Sequence, residues 1–156
     1  MSTQFQANFG DVVSMTCTLA SLASSSDLSV ARQSTMVDNS ALKWPSVEVF
    51  VTVTGGVNAL AGSIVCYVIR GDGTSVRTDN AGATDAGPFT VRSAPVYGSV
   101  VTPTNVTNGS YTLVFNVDAP GPEWGVAVAH SCSVAFTTVT AGTFLVQYRG
   151  FRIESV

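Results

Sequence analysis

Apolar residues recur at every second position in several short runs of the chain. Residues 47–54 place valine at each odd position, and residues 111–118 repeat the alternation with Tyr, Leu, Phe and Val. A period of two is typical of a strand with one buried face. Residues 62–70 are β-branched and aromatic with almost no polar break, which indicates a strand covered on both faces. No segment of useful length has helical periodicity, so the pattern predicts an all-β fold.

Turn residues separate these runs and predict where the chain reverses. Asp72-Gly73 favours a hairpin turn because Gly tolerates a positive φ, and the prolines of residues 119–122 end the strand before them because proline cannot donate to a ladder. Residues 74–88 are polar and rich in Gly and Ala, so we expect a loop or a short edge strand there. Further strands are predicted over residues 11–22, 89–92, 97–101, 124–130, 133–138 and 143–149, with Phe151 and Ile153 continuing the last.

About eight or nine short strands separated by Gly, Pro and Asn predict one antiparallel β-sandwich of jelly-roll type. We expect a single domain over residues 1–156, because roughly 70% of the unfolded surface of a chain of this length can be buried in one core. The strand order stays open, since immunoglobulin-like sandwiches share the same pattern.

The low content of charged residues argues against nucleic acid as a partner. Only 11% of the residues are charged, and the 7 basic and 10 acidic residues give a net charge of -3. A chain without a cationic surface is not expected to bind nucleic acid, whereas a charge-poor surface suits a protein covered by other subunits. No apolar run reaches about 18 residues, so no membrane-spanning segment is expected. The first residues lack the pattern of a secretory signal, so we expect folding in a cytoplasm.

Metal and cofactor sites are not expected. The three cysteines, at positions 17, 66 and 132, lie far apart and form no C-x-x-C pair, so they are predicted to be small buried residues rather than zinc ligands. The long polar loop carries carboxylates that could serve as calcium ligands, but their spacing matches no EF-hand. They are Asp72, Asp79 and Asp85.

No catalytic grouping is predicted either, and we expect the protein not to be an enzyme. His130 is the only histidine, and at a strand end it is expected to be a hydrogen-bonded structural residue. Nothing places Ser131 near an acid, as a serine nucleophile would require. Asp118 and Glu123 flank a turn, where carboxylates are normally solvated rather than held across a cleft.

A polar segment before Trp44 is the first candidate site. We predict that it is an ordered loop, held by its own hydrogen bonds or by a neighbouring subunit. Arg32 and Asp38, six positions apart, could pair to order it, and such a pair would be structural. Its candidate binding or structural residues are Arg32, Gln33, Ser34, Thr35, Asp38 and Asn39.

Aromatic side chains form the second candidate site. Trp44, Tyr97 and Trp124 lie near strand ends, where they could form a platform that stacks on sugar rings. Aromatic residues at such positions also plug the ends of a sandwich core. Two exposed coplanar rings would support the platform, and buried rings would remove it.

Short patterns at both ends of the chain resemble a group of small structural proteins in the virions of tailed bacteriophages. The N-terminal pattern is a Thr- and Leu-rich segment over residues 15–24, followed by Arg32-Gln-Ser-Thr35 and Val37-Asp-Asn-Ser40. The C-terminal pattern is Trp124-Gly-Val126, then His130-Ser-Cys132 and an aromatic strand around Tyr148.

This resemblance implies a non-enzymatic virion component, either an accessory tail protein or a capsid-surface (decoration) protein. Its expected partners are other virion proteins and further copies of itself, with a trimer as one expected form, and it would fold in the host cytoplasm. The alternative is a β-sandwich module at the phage tail that binds carbohydrate or another host-surface group.

Overall fold

Two antiparallel sheets pack face to face in the computed structural model, which describes residues 5–85, 87–103, 106–136 and 143–155, without the side chain of Ser21. 3-10 turns lie at Leu19–Ser21 and Thr78–Asn80, and the described residues contain no α-helix. The strands are β1 (Phe5–Phe9), β2 (Val13–Met15), β3 (Val30–Gln33), β4 (Val37–Asp38), β5 (Ser46–Thr54), β6 (Gly62–Gly71), β7 (Phe89–Thr90), β8 (Val96–Thr102), β9 (Ser110–Asp118), β10 (Glu123–His130) and β11 (Thr143–Ser155).

The strand order is that of a jelly roll. One sheet has the order β1-β11-β5-β9, and β2 pairs with β11 beside β1. The other has the order β7-β3-β10-β6-β8, and β4 pairs with β10 beside β3. Without the short strands β1, β4 and β7, the sheets are β2-β11-β5-β9 and β3-β10-β6-β8, which is the arrangement of two Greek keys in a jelly roll. The predicted sandwich is therefore confirmed, and the topology settles the order that the sequence left open.

The core lies between the sheets and is built by strand alternation. Along β5 the odd-numbered valines are fully buried, and the residues between them are half-buried on the outer face. β6 is buried from Ile64 to Ile69, and β10 from Trp124 to His130. Their outer faces are covered because a second apolar cluster joins Ile69 and Ala127 to Ala81 and Val91 of the long connection between β6 and β8.

The two sheets therefore differ in what covers them. The connection between β6 and β8 packs over the outer face of the six-stranded sheet, whereas the outer face of the five-stranded sheet carries exposed apolar side chains such as Val114 and Ile153. No helix in the described part of the chain has the length and apolar character needed to cross a membrane.

Most strand predictions are confirmed: β8 (Val96–Thr102) covers the predicted 97–101, and β7 (Phe89–Thr90) covers part of the predicted 89–92. β5, β6, β9, β10 and β11 lie where they were predicted. Residues 11–22 were predicted as one strand but contain only β2 and a 3-10 turn. Residues 133–136 form no strand, and the remainder of the predicted strand over 133–138 lies outside the described residues.

The cysteines behave as small apolar residues. All three are free thiols; Cys66 and Cys132 are buried, and Cys17 is half-buried. Burial raises the pKa of the Cys66 thiol. Burial, with the nearby charge of Asp85, raises the pKa of Cys17 to about 12. These thiols are therefore protonated at neutral pH and poor nucleophiles.

Candidate functional site

The polar segment is not a loop but two short strands with a break between them. Both β3 and β4 pair with β10 in an antiparallel register. At the break, the Ser34 amide donates to the Val126 carbonyl at 2.7 Å, and the Val126 amide donates to the Ser34 hydroxyl at 3.1 Å. Thr35 continues the break by donating its amide to the Thr16 carbonyl at 2.8 Å. The loop prediction was wrong because β10, about 90 residues away in the sequence, supplies the pairing.

Gln33 uses its buried side chain to hold the connection between β6 and β8. Its amide nitrogen donates to the carbonyls of Gly82 at 2.7 Å and Thr84 at 2.9 Å. Its amide oxygen accepts the Gly82 N–H at 2.8 Å. The side chain is 1% exposed, so these bonds are shielded from water and fix residues 82–84 against the six-stranded sheet.

Arg32 pairs with Asp85 rather than with Asp38. The guanidinium donates to the Asp85 carboxylate at 2.6 Å, and both side chains are nearly buried. Burial raises the pKa of Asp85, but the hydrogen bonds from Arg32 and Thr18 outweigh it and hold that pKa below its usual value. The Arg32–Asp38 pair does not form, because Arg32 lies opposite Val128 and Asp38 opposite Glu123, five positions apart along β10. Asp38 instead accepts the amide and hydroxyl of Ser40.

Asn39 ties three backbone segments together. Its side chain accepts the Trp44 N–H at 3.0 Å and donates to the carbonyls of Trp44 and Gly121, each at 3.1 Å. Its own amide donates to the Pro122 carbonyl at 2.8 Å. The polar residues of this segment therefore act on neighbouring loops, which is a structural role.

The carboxylates of the long connection are held apart by separate hydrogen-bond networks. Asp72 accepts the backbone amides of Thr74, Ser75 and Val76. Asp79 accepts amides of residues 92–94, and Asp85 binds Arg32. Within the described ranges, no group of three or more His, Cys, Asp or Glu side chains is placed to hold a metal ion.

The aromatic residues do not form one exposed platform. Trp124 is fully buried and meets the Tyr148 ring edge-on at 5.1 Å. Trp44 is half-buried, and its ring packs directly on Gly150, so that any larger residue at position 150 would clash with it. The Arg152 guanidinium lies 4.4 Å from the centroid of the same ring. Trp124 therefore cannot take part in the predicted sugar platform, and both tryptophans contribute to the core instead.

Tyr97 is half-buried at the corner where the two sheets approach. Its ring lies 6.1 Å from Phe115, and its hydroxyl accepts a bond from Arg70 at 3.0 Å. Arg70 also donates to the carbonyls of Asp118 and Ala119. This network joins β6, β8 and the end of β9, so Tyr97 also has a structural role here.

His130 is fully buried and structural. Its Nδ1 accepts the Cys132 amide at 3.2 Å, and its Nε2 lies 3.3 Å from the Leu22 carbonyl, to which it donates as the neutral ring. The ring stacks on Phe136 with a centroid separation of 3.7 Å. Burial lowers its pKa, against the hydrogen bond to Leu22, so the imidazole is neutral and both nitrogens are engaged.

The outer face of the five-stranded sheet is the functional candidate that the sequence analysis missed. Phe9 of β1 packs on Phe151 of β11 at 5.8 Å. The Arg149 guanidinium lies 4.5 Å from the Phe9 ring centroid and 5.7 Å from that of Phe50, and it pairs with Glu48 at 2.7 Å. We call this surface the apolar outer face; its members are Phe5, Phe9, Phe50, Val114, Leu145, Phe151 and Ile153.

A signal for this face was present in β11. Apolar residues occur there at both parities: Phe144, Val146 and Tyr148 point towards the core, and Leu145 and Ile153 lie on the other face with 44% and 69% exposure. A strand that is apolar on both faces is expected to be covered on both. No segment of the described chain covers the outer face of β11, so Leu145 and Ile153 remain exposed.

Comparison with known proteins gives no family. No protein-family model matches the chain, and no curated protein matches it. A solved structure described as the C-terminal domain of EclA, a sugar-binding protein, is similar over 99% of this chain and 79% of that one, with 10% sequence identity and a TM-score of 0.31. A similarity this low carries no argument about function.

Proposed function

We propose that the chain is a non-enzymatic structural protein of a bacteriophage virion, an accessory tail or capsid-decoration component assembled in several copies. The observation that carries this proposal is the apolar outer face. Three strands contribute exposed side chains to it, among them Phe5 at 73%, Val114 at 54% and Ile153 at 69%. Exposed apolar side chains grouped on one face, with polar residues around them, are typical of a protein interaction site.

The composition of the face suits contact with protein. Aromatic residues and Arg are enriched at protein interfaces, and here Arg149 lies between Phe9 and Phe50. Its charge is already balanced by Glu48, so covering the face leaves no unpaired ion. Neighbouring virion proteins or further copies of the chain are the expected cover.

The polar groups considered for chemistry support a structural role. Arg32, Gln33 and Asn39 bind backbone or carboxylate groups of adjacent loops. His130 is neutral and enclosed. Side chains engaged in this way hold the scaffold, and an interaction protein needs a rigid scaffold for its surface.

Mass spectrometry of purified particles tests the proposal. Particles would be collected from a culture in which the phage carrying this gene is produced, and the chain is expected in several copies per particle. Finding the chain only in the particle-free fraction would contradict the proposal. In that case, saturable binding of the native chain to a glycan array would favour the carbohydrate-binding alternative.

A matched pair of variants tests the face itself. Val114→Glu places a charge on the apolar outer face, whereas Val101→Glu changes an even more exposed valine, at 76%, on β8 of the other sheet. We expect Val114→Glu to reduce incorporation into particles at least tenfold and Val101→Glu to leave it within twofold. Equal incorporation of the two would show that this face is not the contact.

A further inference from the structure

β1 is an open edge of the five-stranded sheet. Among the described residues it pairs with β11 only, and all five of its residues are exposed. Edge strands usually carry charges, proline or bulges that prevent pairing with another chain. The sequence Phe-Gln-Ala-Asn-Phe has none of these.

The backbone of β1 directs alternate residues to this edge. The amide of Gly10 donates to the Gly150 carbonyl at 2.8 Å, which fixes the phase of hydrogen bonding with β11. Because alternate residues of an antiparallel strand bond to opposite sides, Gln6 and Asn8 also direct their backbone groups towards β11. Phe5, Ala7 and Phe9 therefore direct their N–H and C=O groups outwards.

The sequence of β1 is nearly palindromic about Ala7, with Phe at both ends and an amide side chain on each side of the alanine. If a second β1 pairs antiparallel about this residue, Phe5 faces Phe9 of the second copy, and Gln6 faces Asn8 of the second copy. Aromatic pairs and hydrogen-bonding pairs are favourable directly across strands. In this register the three outward-facing residues coincide, so about six backbone hydrogen bonds can form.

We propose that the chain forms a two-fold dimer in which β1 pairs with β1 of a second copy about Ala7. The five-stranded sheets of the two copies then become one continuous sheet, and the apolar outer face extends across the junction through Phe9 and Phe151. This inference deepens the proposed function and rests on it, since it supplies a contact between copies of a multi-copy component. Pairing of identical strands in this way generates two-fold rather than three-fold symmetry.

The exposed area points to a weak dimer. A stable interface buries about 800 Å² on each partner, and a Phe side chain presents of the order of 150–250 Å². Phe5 and Phe9 are 73% and 50% exposed, so β1 and its surroundings supply of the order of half the standard area. We therefore expect dimerisation to need the high local concentration that an assembling particle provides.

Light scattering of the full chain from about 10 µM to about 1 mM tests the dimer, a range that covers weak association. The native mass is expected to double across this range. Ala7→Pro removes an outward-facing N–H and leaves the pairing with β11 in place, so it is expected to keep the single-chain mass with a thermal midpoint close to native. A native mass that never rises, or an Ala7→Pro chain that still doubles, would overturn the inference.

Cross-linking tests the register independently. In the proposed pairing, the two Ala7 Cα atoms lie about 5.5 Å apart, within the range for a disulfide, whereas the two Gln6 positions are diagonal neighbours about 7–8 Å apart. Under mild oxidation with copper phenanthroline, Ala7→Cys is expected to form covalent dimers at least tenfold faster than Gln6→Cys. Equal rates would refute this register.

The outcome also separates this inference from the proposed function. A chain that is present in particles but monomeric over the whole range refutes the β1 dimer alone. A chain that dimerises through Ala7 but is absent from particles refutes the virion role alone.

Discussion

At the scale of single residues, Gln33 is a buried polar side chain whose loss is expected to lower stability. Gln33→Leu keeps the volume similar but leaves the Gly82 amide and two carbonyls without their partners. Each unsatisfied buried group costs about 1–3 kcal/mol before relaxation, so we expect a loss of about 2–4 kcal/mol in the free energy of unfolding.

Urea denaturation checks this expectation, with Gln147→Leu as the matched control. Gln147 lies on the outer face of β11 and makes a bond of 3.3 Å to the exposed Ser14 hydroxyl. The control is expected to change stability by less than about 0.5 kcal/mol. Equal effects of the two substitutions would mean that the buried amide network contributes nothing specific.

His130 makes stability depend on pH. Burial lowers its pKa in the folded protein, whereas the unfolded value is about 6.5. Above a pH of about 6.5, His130 is neutral in both the folded and the unfolded chain, so its titration does not reduce the free energy of unfolding. As the pH falls below this value, the unfolded chain binds a proton that the folded chain does not, so the free energy of unfolding decreases by up to about 1.4 kcal/mol per pH unit until the folded pKa is reached.

Comparison of native protein with His130→Gln between pH 7 and pH 5 tests this. The variant is expected to be less stable at pH 7 but to show a flatter pH dependence, because glutamine does not titrate. The pKa values of carboxylates such as Asp79 and Asp85 are lowered in the folded protein, so these groups change the free energy of unfolding only below about pH 5. A variant that retains the full slope would assign the titration to another group.

At the scale of elements, the ion pair between Arg32 of β3 and Asp85 couples a strand to the long connection. Removing either partner leaves a nearly buried charge, which is costly. A double-mutant cycle with Arg32→Ala and Asp85→Ala is expected to give a coupling energy of about 1–3 kcal/mol. The exposed Arg152–Glu154 pair, at 3.9 Å, is the control and is expected to give less than about 0.5 kcal/mol. Similar coupling in both pairs would contradict a special role for the buried one.

The same elements explain what the sequence could predict. β5 and β9 were found because their alternation is a local signal set by one buried face. β3 and β4 were missed because polar residues occupy strand positions there, with partners such as Gly82 and Asp85 about 50 residues away. The outer face was missed because residues 143–153 were predicted only as a strand, and the exposure of Leu145 and Ile153 depends on whether another segment covers the sheet.

At the scale of the whole molecule, the two sheets differ in their outer faces: that of the six-stranded sheet is covered, and that of the five-stranded sheet is exposed. The connection between β6 and β8 packs over the six-stranded sheet, so association through a sheet face, as distinct from edge pairing of β1, is expected mainly through the apolar outer face. With a net charge of only -3, repulsion between molecules opposes this weakly. Charges added to that face should therefore increase solubility more than the same charges added elsewhere.

Two triple variants separate the position of the added charge from its amount. Val114→Glu, Leu145→Glu and Ile153→Glu change the open face; Val57→Glu, Val76→Glu and Val96→Glu change exposed valines outside it. Each set adds three negative charges to the native -3 and gives -6. We expect the face variant to need a clearly higher polyethylene glycol concentration for precipitation than the control, at an unfolding free energy within about 1 kcal/mol of it. Identical precipitation curves would mean that net charge alone sets solubility, and that the open face is not a surface through which the molecule associates.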